Sequence, residues 1–200
     1  MKTEVIFDIE TKKLFEDISS FNPADLGVSI VSLYFRQVDE NLIEKEGQIY
    51  SFWENEFSNM WDYFSKADRI IGFNSLGFDI PALVPISPLN FKKLPHFDLM
   101  DKIKQNLGFR LGLDAVAKEC LGHGKTDIGT NAVVYWNENT AESLAKLKKY
   151  CEMDVFVTKD IYDYGLKNKH LKYKDKWNTS RVFPIDFSYP QSEKNQISLF

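Results

Sequence analysis

The stretch that most constrains the fold is Val5-Ile6-Phe7-Asp8-Ile9-Glu10-Thr11. β-Branched and aromatic residues run through it without a breaker, which predicts a β-strand. Strand alternation sets Val5, Phe7 and Ile9 on one face and Ile6, Asp8 and Glu10 on the other. Two carboxylates therefore leave the strand on one side, about 7 Å apart. Such a pair repels itself and is costly to bury unless cations neutralise it. The plain alternative is a strand whose end carries solvated acids.

Two hundred residues suffice for one domain with a real core. A hydrophobic fraction of 44% and a charged fraction of 27% are those of a soluble globular protein. No apolar run approaches the length of a membrane span, and the N-terminus lacks a signal-peptide pattern. Cys120 and Cys151 give no disulfide framework or metal-ligand spacing, so a reducing cytoplasm is the expectation. A net charge of −4 argues against a protein that coats nucleic acid. It still allows a nuclease whose acidic site lowers the total while a local basic patch binds.

Along the chain, Lys12 to Asp25 is polar and irregular, with Asn22-Pro23 as turn chemistry. Leu26–Phe35 and Gly47–Trp53 read as an antiparallel pair of strands joined by the charged stretch Gln37–Glu46. Phe57, Met60, Trp61 and Phe64 recur at helical spacing, an aromatic stripe that reads as core. Arg69–Phe73 is a short buried strand. Asn74-Ser75-Leu76-Gly77-Phe78-Asp79-Ile80-Pro81 leaves it through a turn into a helix, where Pro81 is tolerated in the first turn. Asp79 alone could be a helix-start acid. Leu94–Met100 is strand-like and contains His96 and Asp98, and short helices follow over Asp101–Leu107 and Gly112–Leu121. His96 and His123 lack partners at ligand spacing and read as structural or surface residues.

Thr140 to about Lys167 is the longest helical signal, with Thr140 as N-cap. Its stripe of Leu144, Leu147, Cys151, Val155 and Thr158 carries Asp154 inward, with Tyr150 one turn before it. A buried carboxylate needs compensation. Taken singly, Asp154 could border solvent or pair with Lys146 or Lys159. Four carboxylates, two on a strand and one on each of two helices, are what two divalent cations require.

Phe7-Asp8-Ile9-Glu10-Thr11, Asn74-Ser75-Leu76-Gly77-Phe78-Asp79 and Tyr150-Cys151-Glu152-Met153-Asp154 resemble the three exonuclease motifs of the DEDD superfamily, in order, over about residues 4 to 165. The histidine subclass would carry His where this chain has Lys149, whereas Tyr150 matches the tyrosine subclass. The resemblance implies an α/β, ribonuclease-H-like fold: a mixed five-stranded sheet flanked by helices, its first three strands antiparallel and the others parallel to the first. It implies a 3′→5′ exonuclease releasing nucleoside 5′-monophosphates. Asp8, Glu10, Asp79 and Asp154 would hold two Mg²⁺ or Mn²⁺ ions, and Tyr150 would orient the attacking water. Glu10 would also touch the terminal 3′-hydroxyl, and Asn74 and Phe78 would shape the approach to the terminal nucleotide. A ribonuclease-H-like endonuclease and a non-catalytic adaptor remain as alternatives.

Beyond the exonuclease domain (residues 1–166), a C-terminal extension (167–190) carries Lys167, Lys169, Lys172, Lys174, Lys176 and Arg181 interleaved with Tyr173 and Trp177. Either this is an added edge strand protected by lysines, or lysines that meet phosphates and aromatics that stack on bases. The tail (191–200) ends in Gln196-Ile197-Ser198-Leu199-Phe200, similar to the bacterial sliding-clamp-binding pentapeptide, with Gln196, Leu199 and Phe200 as its anchors. The expected partners are single-stranded or 3′-ended nucleic acid, with DNA favoured, and a sliding clamp. A monomer in the cytoplasm, associated with the nucleoid and not with a membrane, is expected.

Overall fold

The computed structural model describes residues 1–124 and 131–189. Lys2–Thr11 (β1), Val28–Val38 (β2), Glu44–Trp53 (β3), Arg69–Gly72 (β4) and His96–Asp98 (β5) form one sheet in the order β3-β2-β1-β4-β5. β1 pairs antiparallel with β2, and β2 with β3, while β4 runs parallel to β1 and β5 parallel to β4. This is the mixed five-stranded sheet expected from the sequence. Helices over Trp61–Ser65 (α1), Asp79–Leu83 (α2), Leu99–Leu107 (α3), Leu113–Leu121 (α4), Asn131–Glu138 (α5) and Ala141–Asn168 (α6) flank it.

The alternation of β1 sorts its side chains into two cores. Val5, Phe7 and Ile9 pack with Phe57, Met60, Phe64 and Phe91, and Phe7 meets Phe64 edge-to-face at 5.3 Å. Ile6 belongs to the opposite core, with Val155 and Ile161 of α6. Central position and burial on both faces make β1 the spine of the sheet.

Several bounds differ from the sequence reading, each for a local reason. β2 begins at Val28, after Gly27 takes the left-handed conformation (φ +66°). The charged connection shrinks to a tight loop because Arg36 and Glu44 pair across β2 and β3, and Asp39 accepts the N–H groups of Asn41 and Ile43. Phe57 to Phe64 does not make one helix: a 3-10 turn over Glu54–Asn59 precedes α1. Three-residue spacing suits either geometry. α5 had no counterpart in the sequence reading. Thr140 caps α6, its hydroxyl oxygen accepting the Ser143 N–H at 3.1 Å.

The strand expected around His170–Lys174 (β6) forms, but it does not extend the main sheet. It pairs with Ser180–Pro184 (β7) in a separate two-stranded sheet that packs on α4. Alternation could predict a strand there but not its partner. Past β7, Ile185 and Phe187 are buried in the core that contains α6. The Phe187 ring lies so close over Gly165 that a Cβ there would meet it at 2.1 Å.

A buried polar network ties these parts together. Glu4, fully buried on β1, accepts from Arg36 Nε at 2.8 Å, from the Tyr162 hydroxyl at 2.9 Å and from the Tyr189 hydroxyl. Arg36 also forks onto Asp163 at 2.7 and 3.0 Å. Arg69 donates to the Tyr162 hydroxyl and the Phe187 carbonyl, both at 2.8 Å, and to the Ser188 carbonyl at 2.6 Å. Removing one partner of a buried ion pair strands the others. Arg36→Met should therefore lower stability by about 3–5 kcal/mol, read as a reduced urea midpoint in equilibrium unfolding.

Candidate active site: carboxylates at the end of the first strand

β1 ends at the carboxyl edge of the sheet, where β4 and β5, parallel to it, also end. In open α/β sheets this edge is where the loops after parallel strands leave a crevice. The register of β1 against β2 slips between Glu10 and Thr11, an irregularity of the kind that re-aims side chains beside functional sites.

Asp8 and Glu10 project from this end toward α6, which brings in Asp154. One carboxylate oxygen from each of the three lies within 4.8 Å of the others. Of the lysines considered for Asp154, Lys146 pairs with Glu142 at 2.8 Å and Lys159 with Asp163 at 3.0 Å. Asp79 is the first residue of α2, with Phe78 at the N-cap position, so it is not the cap itself. Its carboxylate accepts from the Ile9 backbone, beside Asp8. Burial, reinforced by the charges of Asp98 and Asp154, pushes its pKa up to about 7. Asp79 is not within the trio's 4.8 Å circle, but it feels Asp154 electrostatically.

Two neutral groups complete the pocket. Burial, then the charges of Asp154, Glu10 and Asp8, push the Tyr150 phenol up, and it hydrogen-bonds Asp154. It remains protonated at neutral pH. The buried Cys151 thiol lies 3.5 Å from the Asp8 carbonyl oxygen and 3.8 Å from Oδ2. Desolvation and the Asp8 and Glu10 charges raise it well above an ordinary thiol, so it stays a neutral donor.

Asp98 is a positioning residue that the sequence reading left without a role. Its carboxylate accepts the Asn74 N–H at 2.8 Å and the Leu76 N–H at 2.9 Å. It also caps α3 through the N–H groups of Met100 and Asp101. One side chain thus fixes the loop that leads to Asp79. The available signal was an Asp at the end of a strand just before a helix. Within that loop Asn74 adopts φ +65° and its carbonyl receives the N–H groups of Gly77 and Phe78. Phe78 packs edge-to-face on Phe15 at 6.0 Å. Gly72 leaves room for Ser75, which a Cβ would strike at 2.5 Å.

Asp8, Glu10, Asp79, Tyr150 and Asp154 therefore converge, with Asn74 and Phe78 on the adjoining loop. His96 turns away, its Nε2 2.7 Å from the Phe91 carbonyl oxygen. Gln196, Leu199 and Phe200 lie outside the described residues. Crowded hard oxygen donors fit divalent cations such as Mg²⁺ or Mn²⁺, with Asp8, Glu10 and Asp154 as the compact ligand group.

The RNase H superfamily model matches residues 5–165. No curated protein matches the chain. Among solved structures, the family B DNA polymerase from the hyperthermophilic archaeon Pyrobaculum calidifontis superposes with a TM-score of 0.60 at 20% identity, over 83% of this chain and 25% of that one. The chain thus spans about a quarter of the length of that polymerase, and the likeness is one of fold.

Asp79 carries a testable consequence. Between its ordinary value of 3.8 and about 7, the folded protein holds a proton that the unfolded chain releases, so stability falls as pH rises. In chelator the melting temperature should decline across this window, and Asp79→Asn should flatten the decline. An unchanged pH profile in Asp79→Asn would assign the dependence elsewhere.

Proposed function

This chain belongs to the RNase H superfamily, and from that premise we propose that it is a metal-dependent 3′→5′ exonuclease of the tyrosine-type DEDD class, acting on nucleic acid with DNA favoured. The observation that carries this reading is the placement of Tyr150 one helical turn before Asp154, in contact with the Asp8–Glu10–Asp154 cluster. Asp8, Glu10, Asp79 and Asp154 would hold two divalent ions, Mg²⁺ or Mn²⁺. Such ions neutralise the carboxylates, acidify the attacking water and stabilise the leaving oxygen.

The residues do the rest. Tyr150, kept protonated by burial and then by its acidic neighbours, donates to Asp154 and would leave its oxygen to accept from the attacking water. That fixes the water's orientation without consuming a proton. Glu10, at the outer end of β1, would touch the terminal 3′-hydroxyl. Asn74 and Phe78, on the loop anchored by Asp98, border the terminal nucleotide. In-line attack releases a nucleoside 5′-monophosphate and leaves a new 3′-hydroxyl. Recruitment by a bacterial sliding clamp through Gln196, Leu199 and Phe200 completes the proposal and places the enzyme in DNA replication or repair.

Product analysis with end-labelled oligonucleotides in Mg²⁺ or Mn²⁺ tests the class: mononucleotides support an exonuclease and oligonucleotides an endonuclease. Asp8→Ala and Asp154→Ala should lose activity by orders of magnitude and remain folded. Tyr150→Phe should slow turnover by about 100-fold with little change in KM. Wild-type hydrolysis by Asp8→Ala, or by Tyr150→Phe, would remove the corresponding role.

Removing residues 196–200 should leave digestion of short free oligonucleotides unchanged and abolish stimulation by a clamp loaded on primed DNA, where tethering raises local concentration. The isolated tail should bind the clamp in the micromolar range, about −8 kcal/mol. Clamp stimulation that survives the deletion would refute recruitment through the tail.

A further inference from the structure

We propose that Phe78, Phe15 and Phe21 form a stacking row for the bases of a single-stranded 3′ end, an assignment that rests on the exonuclease reading. The row starts at the residue immediately before Asp79. Phe15 meets Phe78 edge-to-face at 6.0 Å, and Phe21 lies 6.4 Å beyond Phe15. Exposure rises outward: Phe78 is half-buried, Phe15 is 38% exposed and Phe21 is 92% exposed. A phenylalanine held almost wholly in water gains nothing from the core of its own domain.

The loop that presents Phe21 is tied down. On one side, the Ser20 hydroxyl hydrogen-bonds Asp25 and receives the Asn22 N–H at 3.3 Å. On the other, Asn22 Oδ1 accepts the Ala24 N–H at 3.2 Å and starts a 3-10 turn over Pro23–Asp25. That turn packs against α2, the helix that carries Asp79. Its neighbours satisfied and its turn anchored beside the acidic cluster, Phe21 is held outward by structure.

The occupant follows from this continuity. A phosphodiester that reaches the carboxylates of the active site brings flat rings with it, and Phe78 is the first flat apolar surface beside Asp79. Unpaired bases expose their π-faces to such a row, and every base has one, so the contact tolerates sequence. A duplex has already stacked and paired its bases, so it offers the row little. The row therefore selects an unpaired 3′ end with little preference for base identity.

The test uses the full-length protein, a fluorescent oligothymidylate and a blunt duplex, with anisotropy recorded in Ca²⁺. Phe21→Ala should weaken single-strand binding about tenfold, with duplex affinity unchanged. Phe21→Trp should restore the affinity and Phe21→Leu should not. In Mg²⁺, the KM of Phe21→Ala for single strands should rise in parallel. Unchanged single-strand affinity would overturn the proposal, as would equal losses on both substrates. So would conversion of a dimer to monomers without loss of oligonucleotide binding, which would put a second copy of the chain on the row. Phe21-dependent binding by a wild-type protein that never hydrolyses would sink the exonuclease reading and keep the row. Wild-type hydrolysis with an unaltered KM in Phe21→Ala would do the reverse.

Discussion

Glu4 is the fixed point of the molecule. It is fully buried at the start of β1, and its carboxylate is held by Arg36 of β2, Tyr162 of α6 and Tyr189 near the end of the described chain. A carboxylate in that position is tolerated only because donors surround it. The consequence reaches the other end of the strand. α6 runs back along β1, so that Tyr162 meets Glu4 and Cys151 meets Asp8. Four strand steps and eleven helical steps cover similar lengths, about 13 and 16 Å. Fixing one end of this pairing fixes which helical residues arrive beside Asp8 and Glu10.

That register matters because the active-site end opposes its own assembly. Asp8, Glu10 and Asp154 crowd together, and Asp79, buried and facing the charges of Asp98 and Asp154, holds its proton up to about pH 7. The protein fills the remaining space with Tyr150 and Cys151, both kept neutral by burial and nearby charge. Paired charges at one end of β1 thus hold like charges in place at the other. Stability is concentrated away from the chemistry, and the cost of the acidic site is carried by a network that takes no part in it.

What the sequence made legible divides along the same line. The alternation of Val5 to Glu10 and the one-turn spacing of Tyr150 and Asp154 are local periodicities, and they placed the acids on the faces where they are found. The network at Glu4 left no such trace. Its partners stand 32 and 158 residues away in Arg36 and Tyr162, and a buried glutamate is written in the same letter as a solvated one. β6 shows the intermediate case: its alternation revealed a strand, while its pairing with β7 depended on Phe183 and Leu171 reaching a shared core. Asp98 received no role from the sequence, although an Asp between a strand and a helix can cap the helix, and its grip on Asn74 and Leu76 required two loops to meet.

Asp98 also explains how a flexible kind of segment can serve a precise site. The loop from Asn74 to Phe78 includes a left-handed asparagine, a conformation that costs free energy unless neighbours impose it. Asp98 imposes it by accepting N–H groups from the loop and from the first turn of α3 together. The loop after β4 and the helix after β5 are thereby locked to one carboxylate. The Asp79 carboxylate accepts from the Ile9 backbone, which ties α2 to β1. Each acid that arrives from outside the first strand is positioned by a bond to backbone or by an adjacent buried contact. The acidic cluster is therefore preorganised by its surroundings, since mutual repulsion among its own members would otherwise spread them apart.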